Sequence, residues 1–486
     1  MLQRQSLVSS AAARSVVARL PPAVAGLTLG VLSPVYGAAL VASIATFVLV
    51  VARPILGLAL LSAVIPLTPS GALLSQLPIT PGDALGVTIL VTFAATGATR
   101  RQLAVSVTSA FWPGVAFIAA VVISAVVAAD PATSGKEILR WCEMLGVLVV
   151  TATVCREESS RATIVAAYLL ASIVEALLGW GQFVLRIGPD GFRIGAFLRA
   201  YGTFGQPNPF AGFLLMTVPI ALGLILWLWP RRPGGSRETG RGGLGMLILA
   251  VAAAGTGTVA LLMSLSRGAL LGLGIAVIVL ICLYTRRGIT LVALGFVSAG
   301  LLLTLGAGGV LPPIIADRLA LAWKFIGPFD AARITPTPEN WAIVERMAHW
   351  QAAWNMYQAS PIVGIGPGGY TLAYPMFRVN DFWTDPLGHA HNIYLNIMAE
   401  TGFLGIVTYV GLLVAWVAVV GAGFKRSKTG FDRALAAGVL ATLAGVALHN
   451  MFDNLSVHGL ETETGLLVGL CAAIGRGSAS ESQETA

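Results

Sequence analysis

The stretch from Gly402 to Phe424, GFLGIVTYVGLLVAWVAVVGAGF, decides the fold class because it contains no charged residue. A helix of roughly 20 residues is long enough to cross the hydrocarbon core of a membrane. A second uncharged run occupies residues 208–230, and the whole chain is 56% hydrophobic and only 11% charged, with a mean hydropathy of +0.82. Because backbone polar groups in lipid must pair within their own segment, the sequence predicts an all-α polytopic membrane protein.

The apolar runs predict about 12 to 14 transmembrane helices, of which the first two are short and separated by Pro34. The candidate spans are 22–35, 37–52, 54–68, 83–98, 111–129, 138–154, 162–185, 208–230, 243–263, 269–284, 289–307, 402–424, 434–451 and 460–475. These runs predict a basic N-terminus, a first helical bundle, one long loop with short helices, a C-terminal group of helices and a tail. The predicted bounds of these five regions are 1–20, 21–307, 308–401, 402–475 and 476–486.

Basic residues predict the orientation, because Lys and Arg accumulate in cytoplasmic loops. With a cytoplasmic N-terminus, alternating spans place every short basic loop on the cytoplasmic side of an inner membrane. These loops contain Arg53, Arg100, Arg101, Arg156, Arg161, the stretch 231–241, Arg286, Arg287, the stretch 425–433 and Arg476. The net charge of +8 then reflects topology and contact with anionic lipid, and nucleic acid is not an expected partner.

The long loop 308–401 falls on the exoplasmic side and is far longer than an ordinary connection, which favours a functional role. Within it, Thr337 and Pro338 are typical of a helix start, and a helix is expected over Trp341–Gln358. The pattern Gly364-x-Gly366-x-x-Gly369 is interpreted as a turn, because Pro367 interrupts it and no strand precedes it. The four cysteines lack metal-type spacing and are expected to serve packing.

The loop ends in Gly388-His389-Ala390-His391-Asn392, which contains two of the five histidines in the chain. Histidine titrates near neutral pH, so this pair predicts either proton transfer or metal binding at the membrane surface. Asp381 and Asp385 are the nearby carboxylates that a divalent ion would need, although the His-x-His spacing by itself defines no third ligand.

Arginines form a second group of candidate site residues on the exoplasmic side. The apolar stretch 243–284 is about twice a membrane crossing, so the chain must reverse at Ser264-Leu265-Ser266-Arg267-Gly268. Arg199 likewise precedes a span, with Arg186 and Arg193 upstream. Several fixed cations at one apolar opening predict diphosphate binding, since Arg stays charged and grips phosphate bidentately. The alternative for Arg267 is a side chain that extends to lipid headgroups.

These features restrict the reaction class. Nucleotide sugars and ATP are not supplied outside the cytoplasm, so a transferase there needs an activated donor that is carried in the membrane, such as a polyprenyl-diphosphate glycan. Arginines would neutralise the diphosphate leaving group, and His391 would take the proton of an acceptor hydroxyl.

The chain also resembles the O-antigen ligase and polymerase superfamily of bacterial envelope glycosyltransferases. The resemblance spans roughly residues 190–420. The motifs that carry it are Arg199-x-x-Gly202-Thr203-Phe204, Ser266-Arg267-Gly268-Ala269, Arg346 with Trp350 before Pro361-x-x-Gly364-x-Gly366, and His391-Asn392-x-Tyr394-Leu395 with Glu400-x-Gly402. It implies a GT-C-like fold, a polyprenyl-diphosphate-linked glycan donor and a glycan or glycolipid acceptor.

The resemblance also implies roles for individual residues. His391 corresponds to the catalytic base, and Arg199, Arg267 and Arg346 correspond to the arginines that bind the donor diphosphate. His389, Asn392 and Glu400 are supporting candidates, and no cofactor or metal is expected. The resemblance leaves open a ligase, which is the first choice, or a repeat-unit polymerase.

A transporter or flippase of lipid-linked glycans remains the alternative from another class, because it too needs arginines in a groove. Several other titratable residues have a functional and a structural interpretation. His349 is expected to be structural, while His449 and His458, which flank the last exoplasmic turn with Asp453, are weaker substrate-contact candidates. Glu143 and Glu175 lie within predicted spans, and ion pairs with Arg140 or Arg186 would explain them without a function.

Overall fold

The computed structural model describes residues 45–67, 80–100, 105–228, 241–285, 329–337 and 340–475, together with a few residues between 287 and 327. The predicted basic N-terminus 1–20, the predicted span 22–35, half of 37–52, most of 289–307 and the tail 476–486 lie outside the described residues. Within the described part, residues 45–52 are helical, and the remaining regular structure is almost entirely α-helix.

Thirteen further α-helices follow in the described residues. They are α1 Pro54–Val64, α2 Pro81–Arg100, α3 Phe111–Ala125, α4 Pro131–Val154, α5 Glu158–Leu185, α6 Pro207–Leu228, α7 Arg241–Met263, α8 Arg267–Tyr284, α9 Trp341–Ala359, α10 Tyr370–Phe377, α11 Ile393–Arg426, α12 Gly430–His449 and α13 Leu460–Ala473. A small antiparallel hairpin, β1 Arg193–Ile194 and β2 Phe197–Leu198, precedes α6.

Seven of these helices are long and apolar enough to cross a membrane: α2, α5, α6, α7, α8, α11 and α12. Two shorter apolar helices, α1 and α3, accompany them. The prediction of an all-α polytopic membrane protein is therefore confirmed. The helices also begin earlier than several predicted spans, because polar residues at the membrane surface extend the hydrogen-bonded turns beyond the apolar stretch.

The bundle core is built on α6, which is buried along nearly its whole length. It packs against α12, α7 and α8, while α4 packs against α13 and α11 against α3. Close approach depends on small residues: a Cβ added to Gly438 of α12 would lie within contact distance of the backbone of Ile220 in α6. This use of glycine at helix contacts is typical of membrane bundles.

The two ends of the bundle differ in composition. At one end Arg161 pairs with Asp432 at 2.7 Å, Arg426 donates to the carbonyl of Ile474, and Trp227 contacts Tyr284. The basic loops at 155–161 and 425–433 therefore meet there. The loop before α11 and the α12–α13 connection meet at the opposite end, so the charged loops and the histidine motif are separated by the length of the helices.

Helix α11 contains a sharp break at Gly402, whose φ of 65° and ψ of −161° are not helical. Added Cβ atoms there would collide with the backbone of Ile362, so only glycine fits. The glycine-rich pattern 364–369 forms the predicted turn against this break, where the amide of Gly366 donates to the carbonyl of Glu400 at 2.9 Å. The first turns of α11 thus belong to the loop region and the rest to the membrane span.

The helix predicted over Trp341–Gln358 is present as α9. Its first residue, Trp341, directly follows Asn340, and Thr337 caps this start as predicted: the Thr337 carbonyl accepts from the amide of Trp341 at 2.8 Å and its hydroxyl from the amide of Asn340 at 3.4 Å. In return, the Thr337 amide donates to Oδ1 of Asn340 at 2.7 Å.

Candidate active site

His391 lies in the last turn before α11 and is fixed by the backbone on both sides. Its φ of 50° is in the left-handed region, which is uncommon for a residue other than glycine. The next residue, Asn392, caps α11, with its side-chain oxygen accepting from the amides of Tyr394 and Leu395. The indole of Trp350 donates to the carbonyl of His391 at 3.2 Å. The predicted base is therefore held in one orientation by a helix cap and by α9.

Asp453, in the connection between α12 and α13, is the carboxylate partner of this histidine. Its Oδ1 lies 3.4 Å from Nδ1 of His391 and 3.8 Å from Nε2 of His389. The amide of Ile393 donates to the carbonyls of both Asn450 and Asp453, which ties the two segments together. Burial alone would raise the pKa of Asp453, but the interaction with His391 and the neighbouring His449 and His389 hold that pKa below its ordinary value. Asp453 is therefore ionised at neutral pH.

His389 has its proton position set by its neighbours. The backbone amide of His391 donates to Nδ1 of His389 at 3.0 Å, so that nitrogen carries no hydrogen. The neutral ring then has its hydrogen on Nε2, the atom that faces Asp453. Burial, together with the nearby His391, lowers the pKa of His389 to about 4, which keeps the ring neutral. His389 thus serves to hold the loop and Asp453.

The same logic leaves His391 with a free basic nitrogen. Nδ1 of His391 is buried and faces Asp453, whose ionised oxygen calls for a hydrogen on that nitrogen. In the neutral ring Nε2 is then the nitrogen with a lone pair. No hydrogen bond to this atom is formed by any residue that the structure describes. This is the protonation pattern that a general base requires.

The three predicted arginines lie around this histidine site at the same end of the bundle. Arg199 is held by the carbonyl of Ser264 at 2.7 Å and by the side-chain oxygen of Asn208 at 2.8 Å. Arg346, on α9, donates to the carbonyl of Phe452, the residue next to Asp453. Arg267 is the exposed first residue of α8, directly after the turn that the sequence predicted.

The electrostatic field at these arginines is cationic. Burial, followed by the like charge of Arg346 and a smaller contribution from Arg267, lowers the pKa of the Arg199 guanidinium to about 10, so it remains charged at neutral pH. Among the described residues, none of the three arginines forms an ion pair with a carboxylate. Their positive charge is therefore available to an anion, and Arg is the side chain best suited to phosphate oxygens.

Glu400 and Asn392, the other supporting candidates, take scaffolding positions. A side-chain oxygen of Glu400 accepts from the amide of Tyr370 at 3.1 Å, and its carbonyl accepts from the hydroxyl of Ser124 and the amide of Gly366. Together with the cap by Asn392, these bonds hold the glycine turn, α10 and α11 against α3.

His349 is buried below the site. Its Nδ1 lies 2.8 Å from the hydroxyl of Tyr370, and its ring stacks on Tyr374 with centroids 4.7 Å apart. Burial lowers the pKa of His349 to about 3, so the ring is neutral and packs as an aromatic group. This arrangement agrees with the structural role expected from the sequence.

Glu143 and Glu175 do not form the ion pairs that the sequence analysis offered for them. Glu175 accepts from the hydroxyl and the amide of Thr203, at 2.8 and 3.1 Å. Arg140 pairs with Glu137 and Glu461 instead of Glu143. The spacing along α4 favours Glu137, one turn before Arg140, and α13 brings Glu461 to the same guanidinium.

Asp453 is a site residue that the sequence pattern does not single out. The sequence places it only at the turn that His449 and His458 flank, whereas in the structure its Oδ1 faces both histidines of the pair. The available signal was an acidic residue at a membrane-surface turn, where an unpaired charge is costly. Asp381 and Asp385, by contrast, stay away from the pair: Asp381 binds Arg378, and Asp385 accepts from the amide of Leu387.

A divalent ion could in principle use the same three side chains. The ligand atoms of His389, His391 and Asp453 all lie within 4.8 Å of one another. Two imidazoles and a carboxylate are a chemically reasonable donor set for zinc. The geometry thus supplies the third ligand that the sequence left undefined, and it keeps the metal interpretation open beside the base.

Comparison with known proteins identified a family model that overlaps this site. Residues 252–410 match the family model described as O-antigen ligase. The resemblance to the O-antigen ligase and polymerase superfamily is confirmed. The matched segment contains Arg267, Arg346, His389 and His391, whereas Arg199 and Asp453 lie outside it. A match to the O-antigen ligase family indicates glycosyltransferase-type activity in general terms.

Among solved structures, one chain from a study titled "Structural coordination of polymerization and crosslinking by a peptidoglycan synthase complex" is similar to this protein over 78% of its length. All of that chain is covered, with 18% sequence identity and a TM-score of 0.39. The comparison with curated proteins found no significant match.

Proposed function

We propose that this protein is an exoplasmic glycosyltransferase that moves a glycan from a polyprenyl-diphosphate donor to a hydroxyl of a glycan or glycolipid acceptor. The observation that carries the proposal is the contact of Asp453 with Nδ1 of His391, at 3.4 Å, beside three arginines that form no ion pair with any carboxylate the structure describes. A base and a cationic site are the two parts that such a transfer needs. The family match supports the same class of reaction.

The acceptor side of the reaction depends on His391. Nε2 takes the hydroxyl proton as the acceptor oxygen attacks the anomeric carbon of the donor sugar, because a sugar hydroxyl is too weak an acid to ionise beforehand. The imidazolium that forms carries its other hydrogen toward Asp453, whose negative charge stabilises it. A new carbon–oxygen bond forms while the bond from the anomeric carbon to the diphosphate breaks.

The donor side depends on the arginines. The diphosphate leaves with the bonding electron pair, so negative charge develops on its bridging oxygen, and Arg199, Arg267 and Arg346 would stabilise that charge. Arg199 is pre-positioned by Ser264 and Asn208, which reduces the reorganisation that binding would require. No external energy source is needed, since the diphosphate bond of the donor is already activated.

The orientation is part of the proposal. The described basic loops at 155–161 and 425–433 meet at the end of the bundle opposite His391, and basic loops favour the cytoplasmic side. We therefore place the protein in the inner membrane as a multi-pass protein with a cytoplasmic N-terminus, and the region 308–401 faces outward. Membrane-carried donors are available on that side, whereas nucleotide sugars are not.

The acceptor distinguishes the ligase from the polymerase. A ligase, our first choice, transfers the glycan to a separate acceptor such as a lipid A core, whereas a repeat-unit polymerase transfers it to a second lipid-linked glycan. The same residues serve both reactions. In a reaction with the donor alone, products of stepwise increasing length identify a polymerase, and products only after a second acceptor is added identify a ligase.

The test is a transfer assay with purified full-length protein in lipid, polyprenyl-diphosphate glycan and acceptor. We expect His391→Ala to lower turnover by about 10²- to 10⁴-fold while donor binding is retained. His458→Ala, which removes a histidine outside the cluster, is the matched control. An unchanged rate in His391→Ala would exclude the base, and glycan movement across the membrane without a new bond would instead support a transporter.

Treatment with a chelator distinguishes a general-base mechanism from a metal-dependent mechanism. With a base mechanism the rate is unchanged after treatment with a strong chelator. A rate that is lost with chelator and restored by a divalent ion would assign His389, His391 and Asp453 as ligands instead.

A further inference from the structure

A polar cavity lies beside His389, outside the group of arginines. Its volume is about 140 Å³, well above the roughly 10–15 Å³ that a single water needs. Helices α4 and α11, the glycine turn and the α12–α13 connection form its walls. Its polar lining includes Glu137, Arg140, His389, Asn396, Glu400 and Asn454. None of the three proposed diphosphate arginines lines it.

The described lining of this cavity holds more carboxylates than cations, which distinguishes it from the cationic site. Its one guanidinium, Arg140, is bound on one side by Glu137 at 2.7 Å and on another by Glu461. A third contact runs from Arg140 to the carbonyl of Ser456. Each of the three guanidinium nitrogens of Arg140 donates to one of these partners, and two carboxylates surround its single positive charge. A phosphate group would meet no free cation there.

The lining instead suits uncharged hydroxyl groups. Carboxylate and amide oxygens accept hydrogen bonds from hydroxyls, and the amide nitrogens of asparagines donate to them. Phe117, Val121 and Trp141 form an apolar part of the wall. A polar lining with an apolar wall matches a sugar ring, which carries hydroxyls at its edge and C–H groups on its faces.

The cavity lies close to His391, the proposed base. His389 lines the cavity, and its ring centroid lies 4.5 Å from that of His391. Asn454, also in the lining, directly follows Asp453 and donates its amide to Oδ1 of that residue at 2.8 Å. Only the side chain of His389 therefore separates a ligand in the cavity from the proposed base. Such a ligand does not compete with the diphosphate for the arginines.

We propose that this cavity binds a phosphate-free sugar of the acceptor glycan. The inference rests on the proposed transferase function and extends it, because it assigns separate places to the two substrates. The donor diphosphate binds at Arg199, Arg267 and Arg346, and the acceptor sugar binds between α4 and α11. His389 and His391 lie between these two binding sites.

The test measures binding of each substrate separately, by calorimetry on the full-length protein in lipid nanodiscs. The acceptor probe is the oligosaccharide of the producing cells, released from its lipid carrier and dephosphorylated, and the donor probe is polyprenyl diphosphate. Glu137→Gln removes one acceptor charge at constant volume, and Val457→Phe fills space at the cavity wall. We expect each to weaken oligosaccharide binding at least tenfold and to leave polyprenyl-diphosphate binding unchanged.

Two controls make the result specific. Glu158→Gln makes the same chemical change on an exposed residue at the start of α5, at the basic end of the bundle, and should alter neither affinity. Arg267→Lys should weaken only polyprenyl-diphosphate binding. Oligosaccharide affinity that is unchanged in both cavity variants, or an absence of oligosaccharide binding to the wild type, would overturn the cavity assignment.

The transfer assay distinguishes a failure of the cavity assignment from a failure of the proposed transferase function. If the wild type transfers glycan while the cavity variants bind the oligosaccharide normally, the cavity assignment fails and the transferase stands. If the wild type forms no glycosidic bond with any acceptor, the transferase proposal fails, whatever the binding results are.

Discussion

Oδ1 of Asp453 lies 3.4 Å from Nδ1 of His391, although one residue precedes α11 and the other follows α12. The contact is buried and is reinforced by the double backbone bond from Ile393 to Asn450 and Asp453. A carboxylate in this position fixes which nitrogen of the imidazole carries hydrogen. The identity of the proposed base therefore depends on a residue far from the histidine motif.

Asp453→Asn should lower transfer strongly while it preserves the size of the side chain. The amide cannot stabilise an imidazolium as the ionised carboxylate does, and its NH₂ group can donate to Nδ1 and so favour the wrong tautomer. We expect a loss of about 10²- to 10⁴-fold in turnover, comparable to the loss of the base itself, with the acceptor KM little changed. Steady-state kinetics with varied acceptor check this.

The matched control is Asp381→Asn, since Asp381 is an exposed aspartate of the long loop before α11 and, among the described residues, its ion-pair partner is Arg378. The control should retain the wild-type rate. Equal activity of Asp453→Asn and wild type would show that Asp453 serves folding alone.

Arg267→Lys should impair the use of the donor even though the substitution keeps the positive charge. Lysine keeps the positive charge but loses the planar fork that grips two phosphate oxygens. We expect a rise in donor KM or a fall in kcat/KM of at least tenfold, measured with the lipid-linked donor. Arg333→Lys, at an exposed arginine paired with Asp330, is the control and should have no effect. Normal donor kinetics in Arg267→Lys would leave Arg267 as a lipid-headgroup anchor.

The proposed orientation predicts the location of two reporter fusions. A reporter after Thr337 should be active outside the cytoplasm, and one after Gly430 should be active inside, as measured with paired periplasmic and cytoplasmic reporter enzymes. Reversed signals would place His391 on the side that supplies nucleotide sugars, and the argument for a lipid-linked donor would no longer hold.

Stability should fall as the pH is lowered from about 6.5 toward 4. The pKa of His349 is lowered to about 3 and that of His389 to about 4, so in this window the unfolded chain binds protons that the folded protein does not. The stabilisation is complete above the ordinary histidine value and is lost as the pH falls. Asp453, whose pKa is also lowered, adds a further loss only at more acidic pH.

His349→Phe tests this assignment, because phenylalanine keeps the stacking on Tyr374 and cannot titrate. The hydroxyl of Tyr370 retains a partner in the carbonyl of residue 349, at 3.3 Å in the wild type. We expect the decrease in Tm between pH 7 and pH 4.5 to shrink but not to vanish, since one histidine with a lowered pKa is removed while others, His389 and His458 among them, remain. A thermal-shift series in detergent measures it, and an unchanged slope would contradict the assigned protonation of His349.

The sequence alone determined the fold class and most of the helices. Uncharged stretches of membrane length, such as Gly402–Phe424, have one stable backbone arrangement in lipid, because each amide must find its partner within the same segment. The turn at Ser264–Arg267 followed from the same reasoning, since an apolar stretch of two membrane lengths must reverse. Local chemistry likewise pointed to His391 and the arginines, because charged and titratable groups are rare at a membrane surface without a function.

Only the tertiary structure decided how these residues combine. The partner of His391 comes from the α12–α13 connection, and neither sequence spacing nor hydropathy relates that turn to the end of the long loop. The proton position on His389, the anchoring of Arg199 by Ser264 and Asn208, and the neutralised Arg140 in the cavity also depend on which helices lie side by side. Hydrophobic pattern sets how many helices form, but helix packing sets which polar groups meet, and that packing depends on the fit of many small contacts at once.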